Sequence, residues 1–309
     1  MSKFLFVIPP FWGHINPTLS IGGTLLERGH DVAWAGMTKL NMKLFPLGAK
    51  YFYMEKTESK NKKEIERIIL LQNKGANMPA LEALKLGLED TYIPFARMMI
   101  DEFNEIVEQY KPDVIVNDCI TFVGGLSAQL KNIPFATITP ITPNALNDPQ
   151  SAPKVTEWVH KSIIDLQRFV GIDGDEEFVQ SKLLNMYYTS QLFCGLDNAS
   201  VPPYMKFIGA LTGRPDNTPF DWKKLEAMGD HPKIYISIGT VLVQSRKDFF
   251  SRMIEALKDK PVTVIAAADP NILDEWPENF IVQGYVPQSE LLKYIDVVIG
   301  HGGLNTTCD

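Results

Sequence analysis

The chain has 309 residues, of which 45% are hydrophobic and 22% are charged, and its formal net charge is -7. This composition is that of an ordinary globular protein, and the length suits about two domains of roughly 100–200 residues each. The acidic balance excludes the basic stripe with which a protein neutralises a nucleic-acid backbone. We therefore expect small-molecule partners and no nucleic acid.

The three cysteines, Cys119, Cys194 and Cys308, are odd in number and far apart. This spacing fits neither a disulfide framework nor a zinc site, and it is typical of a reducing compartment. We predict a cytoplasmic protein without a bound metal. No apolar run approaches the length of about 18 residues that a membrane-spanning helix requires. Peripheral membrane contact stays open, and the composition implies no particular oligomeric state.

The first part of the chain alternates short apolar runs with helical patterns, which indicates parallel βαβ units. The predicted strands are 4–9, 32–35, 114–116 and 134–139, and the predicted helices are 17–28, 122–130 and several within 55–109. Pro17 suits the first turn of its helix, where a missing N–H does no harm. Prolines at 140, 143, 149 and 153 predict an irregular loop over residues 139–153.

The stretch 209–232 is rich in glycine and proline and is the predicted linker between an acceptor-side domain, residues 1–208, and a second domain, residues 233–309. After the linker the alternation resumes, with predicted strands at 234–238, 262–266, 280–282 and 297–299 and helices around 247–258 and 289–294. A doubly wound half usually has five or six strands. We therefore expect the second domain to be incomplete.

His14 and Asp118 are candidate catalytic residues because each follows a predicted strand. Open α/β sheets place their ligands at the carboxyl ends of strands, and a histidine there can act as a general base because it titrates near neutrality. Asp118 could accept a hydrogen bond from that imidazole and hold the required tautomer. The alternatives are a loop histidine that bonds only locally and an aspartate that caps the helix beginning near Phe122.

A candidate phosphate cradle, Gly300 to Thr307, follows the strand 297–299. Glycines let the backbone approach a ligand closely, and the N–H groups of a helix N-terminus favour an anion such as a pyrophosphate. Position 305 is Asn where a dinucleotide fingerprint has its third glycine, which argues against NAD or FAD. Ser237, Gly239 and Thr240 follow an earlier strand and offer further groups for phosphate oxygens, although such turns prefer these residue types anyway.

Four motifs in order resemble those of the family 1 glycosyltransferases, over essentially the whole chain: Gly13-His14-x-x-Pro17, Ser237-x-Gly239-Thr240, Val286-Pro287-Gln288 and His301-Gly302-Gly303-x-Asn305-Thr306. The resemblance implies the GT-B fold, an α/β architecture of two facing Rossmann-like domains with parallel sheets. It also implies an inverting transfer of a sugar from a nucleotide sugar, UDP-glucose or a relative, to an acceptor hydroxyl. The nucleotide sugar is then a co-substrate, and neither a cofactor nor a metal is expected.

The same resemblance implies roles for individual residues. His14 removes the acceptor proton, and Asp118 orients His14 and stabilises its charge. The residues implied for the donor are Ser237, Gly239 and Thr240 facing the phosphates, Val286 and Gln288 bordering the nucleobase, His301, Gly302, Gly303, Asn305 and Thr306 stabilising the diphosphate, and Asp309 on the ribose hydroxyls.

The acceptor side is predicted from apolar residues. Phe11, Trp12, Met78, Phe95 and Phe122 could wall a hydrophobic pocket, as small-molecule sites require, and each is also typical of an ordinary core. The Leu304-Asn305-Thr306 segment and the short Gly13-His14 loop are similar to bacterial enzymes that modify polyketides such as macrolides, flavonoids or carotenoids. We expect a hydrophobic acceptor that carries a hydroxyl group.

In the resembling family, the Asp–Gln pair that grips the donor sugar would lie beyond Asp309. We therefore expect the 309 residues to hold an intact acceptor domain beside a truncated donor domain, with weak or undetectable transfer and reduced UDP affinity. The alternatives are a nucleotide-sugar epimerase or a lipid-directed glycosyltransferase of the same fold, and a non-catalytic helper that binds nucleotide sugars. Because His14 and Asp118 are both present, the sequence argues against the helper.

Overall fold

The computed structural model describes residues 1–72, 78–141, 152–196, 201–209, 218–239, 246–303 and 306–307. These residues form two compact units. Unit 1 holds the described residues up to Gly209, and unit 2 holds the described residues from Thr218 onward. Parallel strands alternate with helices in both units. The predicted α/β class is confirmed.

Unit 1 is built on a single parallel sheet. Its strands are β1 (Lys3–Val7), β2 (Asp31–Gly36), β3 (Lys50–Tyr53), β4 (Val114–Asp118), β5 (Phe135–Thr139), β6 (Asn185–Tyr187) and β7 (Met205–Phe207). They lie in the order β3-β2-β1-β4-β5-β6-β7. The strand order reverses between β1 and β4, with Val7 beside Asn117. Open α/β sheets form their ligand crevice at such a reversal, outside the carboxyl ends of the strands.

The helices of unit 1 supply most of its core. They are α1 (Trp12–Glu27), α2 (Glu55–Gln72), α3 (Ala80–Gly87), α4 (Ile93–Tyr110), α5 (Val123–Lys131) and α6 (Pro153–Phe169), and a π-helical turn at Leu88–Tyr92 joins α3 to α4. Met99, Phe103 and Val107 recur at helical spacing along α4 and are buried, as expected for an amphipathic helix. They belong to the same cluster as Leu5 and Ile115 of the sheet.

Gly22 lets α1 pack closely on β2. A Cβ atom at position 22 would lie 2.2 Å from Cζ2 of Trp34, a ring atom of a fully buried side chain. The indole N–H of Trp34 donates to Oγ1 of Thr18 at 2.9 Å. This contact fixes α1 on the sheet, and the helix begins at the carboxyl end of β1, where its first turn carries His14.

The amino-terminal edge of the same sheet is held by charged and aromatic groups. The backbone N–H of Lys3 donates to Oδ2 of Asp113 at 2.7 Å, and Nζ of Lys50 pairs with Asp31 at 2.9 Å. Both lysine ammonium groups also lie over the Tyr110 ring, 5.6 and 5.5 Å from its centroid. Such cation–π contacts are attractive, so they stabilise the start of β1 and β3.

Unit 2 contains a smaller parallel sheet. Its described elements are α7 (Trp222–Ala227), β8 (Lys233–Ser237), α8 (Arg246–Leu257), β9 (Thr263–Ala267), β10 (Phe280–Gln283), α9 (Gln288–Leu291) and β11 (Val297–Gly300). The strand order is β10-β9-β8-β11, so this sheet also reverses, between β8 and β11. Ile236, Phe250 and Val264 are fully buried at its centre. All four strands predicted after the linker are present.

Three predictions about the elements of unit 1 were wrong. The pattern predicts a helix from Pro17, but α1 begins at Trp12, because the Phe11 carbonyl accepts from the N–H groups of His14 and Ile15 at 2.9 and 3.0 Å. Pro153, predicted in the loop 139–153, is the first residue of α6. The strands β3, β6 and β7 have no counterpart among the predicted elements. Residues 142–151 of the predicted loop lie outside the described residues.

The predicted linker 209–232 contains α7, and its residues 210–217 are outside the described part of the chain. The Asp221 side chain caps α7 by accepting from the N–H of Lys224 at 3.0 Å. Among the described helices, none combines the length and the hydropathy that crossing a bilayer would need.

Candidate active site

His14 and Asp118 form a hydrogen-bonded pair at the reversal point of the unit 1 sheet. Nδ1 of His14 lies 2.9 Å from Oδ2 and 3.1 Å from Oδ1 of Asp118. The Asp118 side chain is fully buried, whereas 17% of the His14 side chain is exposed. A carboxylate only accepts hydrogen bonds, so the neutral imidazole has its proton on Nδ1 and its lone pair on Nε2. Nε2 is therefore the atom that can take a proton from a ligand.

Asp118 does not cap the following helix. Its Oδ1 accepts from the backbone N–H of Ile120 at 3.0 Å, inside the turn that leaves β4. The helix α5 begins at Val123, and no side chain caps its first turn. The capping alternative is therefore wrong, and the carboxylate is directed at the imidazole instead.

The turn after β4 is held against the sheet by small residues. A Cβ atom at Gly124 would lie 2.4 Å from Oδ1 of Asn117 and 2.6 Å from Cγ1 of Val7. The Thr121 hydroxyl donates a hydrogen bond to Oδ1 of Asn117 at 3.0 Å. Overpacking of such a site would shift the backbone, so these contacts fix the position of the Asp118 strand end relative to β1.

Three buried side chains, Cys119, Tyr92 and Tyr188, interact with the Asp118 charge, and the sequence did not predict any of them beside it. Burial, followed by the charge of Asp118, raises the pKa of the Cys119 thiol. Burial is also the main cause that raises the pKa of Tyr92 and of Tyr188, with smaller contributions from Asp118 and Cys119. These three groups therefore stay neutral around the carboxylate. The signal for Cys119 was its place directly after Asp118 at a strand end.

Atoms of His14, Asp118 and Cys119 that could act as metal ligands lie within 4.8 Å of one another. The thiolate, not the thiol, is the form of cysteine that binds metals. Burial and the Asp118 charge raise the pKa of Cys119, which disfavours the thiolate. Nδ1 of His14 is already hydrogen-bonded to the Asp118 carboxylate, so the arrangement is a hydrogen-bonded pair with a thiol nearby.

The residues predicted for the acceptor divide into core and surface. The Phe11 ring lies 6.3 Å from the His14 ring and 6.3 Å from the Phe95 ring, measured between centroids. Phe95 and Phe122 are buried in the core of unit 1, so the core alternative holds for both. Phe11 is half-buried and Trp12 is 39% exposed, at the start of α1. Met78 is half-buried two residues before α3.

In unit 2, His301 lies against two glycines at the carboxyl ends of β8 and β11. A Cβ atom at Gly239 would be 2.5 Å from Cε1 of His301, and one at Gly303 would be 2.6 Å from Nε2. Gly239 also has a φ of +66°, a region that favours glycine. Ser237, the last residue of β8, is buried and pairs with Gly300 of β11. These described residues of the predicted cradle thus lie together at the reversal point of the second sheet.

The other residues predicted for the donor lie near Tyr235 and after β11. The Tyr235 hydroxyl donates to Oε1 of Gln288 at 3.0 Å, and the Val286 side chain is buried beside Tyr235. Gly302 has a φ of +73°, and Thr306 begins a short helical segment whose next residue donates its N–H to the Gly303 carbonyl at 3.0 Å. Thr240, Asn305 and Asp309 lie outside the described residues.

Comparison with known proteins gives relatives over nearly the whole chain, although no family model matches it. The NDP-glycosyltransferase YjiC of Bacillus subtilis is 24% identical over 314 residues, which cover 97% of this chain and 74% of the relative. The uncharacterized UDP-glucosyltransferase YdhE of Bacillus subtilis is 28% identical over 332 residues, which cover 99% of this chain and 77% of the relative.

Solved structures show the same fold. A glycotransferase of kitacinnamycin superposes with a TM-score of 0.72 at 19% identity, covering 98% of this chain and 76% of the other. The glycosyltransferase SsfS6 of Streptomyces sp. SF2575, solved with thymidine diphosphate, superposes with a TM-score of 0.67 at 17% identity, covering 100% and 78%. Identities this low establish the shared fold alone.

Proposed function

We propose that this chain, which has the GT-B fold and glycosyltransferases among its relatives, is a family 1 glycosyltransferase that transfers a hexose from a nucleotide sugar to a hydroxyl group of a hydrophobic small molecule. The observation that carries this proposal is the His14–Asp118 pair at the reversal point of the unit 1 sheet. The proposed donor is UDP-glucose, in line with the name of YdhE. A thymidine nucleotide sugar is the alternative, since SsfS6 was solved with thymidine diphosphate.

His14 acts as the general base in this proposal. Asp118 keeps the proton on Nδ1, so Nε2 accepts the proton of the acceptor hydroxyl as its oxygen attacks the anomeric carbon. The new carbon–oxygen bond forms on the face opposite the diphosphate, and the bond to the diphosphate oxygen breaks. The configuration is inverted, the nucleoside diphosphate leaves with the bonding electron pair, and His14 later releases its proton to water.

Asp118 supplies the charge that this step needs. The imidazole becomes an imidazolium when it takes the proton, and a buried carboxylate 2.9 Å from Nδ1 stabilises that cation more than water would. A positioned base of this kind contributes about 10²–10⁴ to the rate. The pair therefore explains why the attack can proceed from a hydroxyl group, which is a weak nucleophile at neutral pH.

The leaving diphosphate gains negative charge on the donor side, and unit 2 supplies the groups for it. His301, between Gly239 and Gly303, can donate a hydrogen bond, and the glycine backbone leaves room for phosphate oxygens. N–H groups that are already in place stabilise developing charge without reorganisation. Thr240, Asn305 and Asp309 keep their proposed donor roles on the strength of the sequence motifs alone.

On the acceptor side, Phe11 and Trp12 are the proposed contacts, because they are next to His14 in the chain and keep exposed surface. Phe95 supports the Phe11 ring from the core. Aromatic surface beside a base suits a flat, apolar molecule with a hydroxyl group. We also place the protein in the cytoplasm, because Cys119, Cys194 and Cys308 are odd in number and far apart in the sequence.

The test is product formation. The protein is incubated with UDP-glucose and a panel of hydroxylated aromatic and macrocyclic acceptors, and mass spectrometry measures glucosylated products. We expect weak transfer by the wild-type chain, and a further loss of about 10²–10⁴ in kcat for His14→Ala. A parallel series with TDP-glucose separates the two donor nucleotides. An unchanged rate in His14→Ala would overturn the assignment of the base.

His160→Ala is the matched control. His160 of α6 forms a similar pair with Glu177, whose Oε1 lies 2.7 Å from Nδ1, but both of these side chains are partly exposed. This variant should keep full transfer activity. The alternative activity, that of a nucleotide-sugar epimerase, is tested by incubation with UDP-glucose alone. A new epimer formed without any acceptor would favour the epimerase over the proposed transferase.

A further inference from the structure

Two buried polar side chains at the end of β4, Asn117 and Thr121, are hydrogen-bonded to each other beside Asp118. Both residues are fully buried. The Thr121 hydroxyl donates to Oδ1 of Asn117 at 3.0 Å, and Nδ2 of Asn117 donates to the Val179 carbonyl at 3.0 Å. The two side chains therefore link the turn that carries Asp118 to a segment much further along the chain.

A count of protons shows where the Thr121 hydroxyl directs its single hydrogen. Three acceptors surround this oxygen: the carbonyls of Asp118 and Val7, at 3.0 and 3.4 Å, and Oδ1 of Asn117. The Asp118 carbonyl already accepts from the backbone N–H of Thr121 at 3.0 Å. Oδ1 of Asn117 has no other donor within the described ranges, and a buried acceptor without a donor is costly. The proton therefore goes to Asn117, while the hydroxyl oxygen stays next to the ends of β1 and β4.

The surroundings of this hydrogen bond leave the Asn117 amide no room to turn. A Cβ atom at Gly124 would lie 2.4 Å from Oδ1 of Asn117, so α5 closes one side of the amide. The segment that accepts from Nδ2 is also fixed, because the Gln167 side chain accepts from the N–H of Phe178 and donates to the Glu176 carbonyl, both at 2.8 Å. Groups that are packed this closely keep one orientation.

The same turn holds the Asp118 carboxylate. Oδ1 of Asp118 accepts from the backbone N–H of Ile120 at 3.0 Å, and Ile120 directly precedes Thr121. Oδ2 of Asp118 lies 2.9 Å from Nδ1 of His14. A displacement of Thr121 would move the Ile120 N–H and the carboxylate with it. Because hydrogen bonds weaken when their geometry is poor, such a displacement would change the bond to the imidazole.

We propose that Thr121 is a positioning residue, whose hydroxyl bond to Asn117 holds the turn after β4 in the place from which Asp118 reaches Nδ1 of His14. This inference rests on the proposed function, in which His14 is the base. Loss of the hydroxyl leaves the buried Oδ1 of Asn117 without its donor, so the turn shifts and the bond between Asp118 and His14 changes. A serine at position 121 would keep the hydroxyl and lose only a methyl group.

The test compares Thr121→Val, which keeps the shape of the side chain, with Thr121→Ser, which keeps the hydroxyl. Long-range proton–nitrogen NMR resolves the imidazoles of the five histidines. In Thr121→Val the His14 resonances should shift, while those of the other four histidines stay the same and serve as internal references. In Thr121→Ser the His14 resonances should stay close to those of the wild type. This readout needs no turnover.

Thr139→Val is the matched control. The Thr139 hydroxyl donates to Oδ1 of Asn185 at 2.7 Å, so it forms the same kind of buried threonine–asparagine bond on the neighbouring strand β5. Urea denaturation should show a loss of stability in both valine variants, because each removes the donor of a buried asparagine oxygen. Only Thr121→Val should shift the His14 resonances. Equal shifts in the two variants would overturn the proposal, since they would reflect the loss of any buried hydroxyl.

Steady-state kinetics add a second readout. We expect Thr121→Val to lower kcat by about three- to tenfold, the equivalent of one neutral hydrogen bond, with little change in KM. Thr121→Ser and Thr139→Val should keep the kcat of the wild type. A higher KM with an unchanged kcat in Thr121→Val would contradict a role in positioning the base.

Two further results would overturn the proposal: unchanged His14 resonances in a folded Thr121→Val, or equal shifts in the valine and serine variants at position 121. If valine prevents folding, Thr121→Ser decides. His14 resonances like those of the wild type then support the proposal, and shifted ones contradict it, because the hydroxyl is still present. Full activity of His14→Ala would instead refute the proposed function, whatever the Thr121 variants show.

Discussion

His14 and Asp118 are 104 residues apart in the chain, yet Nδ1 of one lies 2.9 Å from a carboxylate oxygen of the other. The contact exists because β1 and β4 are neighbours in the sheet although they are distant in sequence. One residue lies in the first turn of a helix and the other at the end of a strand. Neither side chain can be repositioned by a local loop movement, so the pair is preorganised.

The charge of Asp118 can be tested separately from its shape. Asp118→Asn keeps an oxygen that can accept from Nδ1–H, but it cannot neutralise an imidazolium. We expect kcat to fall by about 10²–10⁴ with KM little changed, as measured by steady-state kinetics. Asp113→Asn, at the exposed amino end of β4, is the control and should stay active. Equal rates for Asp118→Asn and the wild type would remove the proposed role of the charge.

The packing of α1 predicts opposite effects at two adjacent glycines. Gly22→Ala would place a Cβ atom 2.2 Å from the Trp34 ring, so we expect a loss of about 1–3 kcal/mol in the free energy of unfolding. Gly23→Ala meets only Pro46, at an ordinary 3.5 Å, and should gain about 0.5–1 kcal/mol from helix propensity. Urea denaturation measures both. Similar values for the two variants would contradict the close contact.

The position of His301 can be tested with a double-mutant cycle. Gly303→Ala would place a Cβ atom 2.6 Å from Nε2 of His301, and because that side chain is exposed the ring will turn away. We expect UDP to bind about tenfold more weakly, the equivalent of one lost hydrogen bond. Isothermal titration calorimetry checks this.

The control for Gly303→Ala is the same substitution in a His301→Ala background. Without the imidazole, the added methyl group has nothing to displace, so it should cost no further affinity. If Gly303→Ala weakens UDP binding equally in both backgrounds, the glycine acts on the ligand by itself and the cradle does not depend on the ring.

The buried phenols and the thiol of unit 1 predict a loss of stability at alkaline pH. Burial raises the pKa of Tyr187 to about 12, and it also raises the pKa of Tyr92, Tyr188 and Cys119 above their ordinary values. Because these folded-state pKa values exceed the unfolded ones, the unfolded chain loses its protons first as the pH rises. Stability is therefore complete below about pH 9 and falls above it.

Thermal melting between pH 7 and 11 checks this prediction, with the midpoint expected to decline above about pH 9. Tyr187→Phe removes one of the groups while keeping the stacked contact with Phe207, so its decline should be shallower. A melting temperature that stays constant to pH 11 would show that these groups ionise as readily in the fold as outside it.

The long buried strands could be predicted from the sequence, and the short ones could not. β1, β4 and β8 are runs of apolar residues bounded by turn residues, a pattern that is visible without any partner. β6 and β7 have three residues each, which is too short for a period-2 pattern to be recognised. They are strands because Thr139 and Tyr187 supply the neighbouring edge, which is tertiary information.

For the site, the sequence places His14 and Asp118 at strand ends but not in their local conformations. The early start of α1 depends on the Phe11 carbonyl, which no propensity predicts. The π-helical turn before α4 depends on Gly87, where a Cβ atom would lie 3.1 Å from Cζ of Tyr92. The position of Cys119 likewise depends on the Ile138 carbonyl of the neighbouring strand, to which its N–H donates.

The lysine and aspartate contacts hold the amino-terminal edge of the unit 1 sheet, and this edge is a suitable place to attach a label. β1 starts at that edge, and Met1 before it is 97% exposed. Five residues of strand span about 16 Å, so Met1 and His14 lie beyond opposite ends of β1. An affinity tag or fluorophore attached before Met1 should therefore leave the histidine accessible, and the protein can be immobilised by that end for binding measurements.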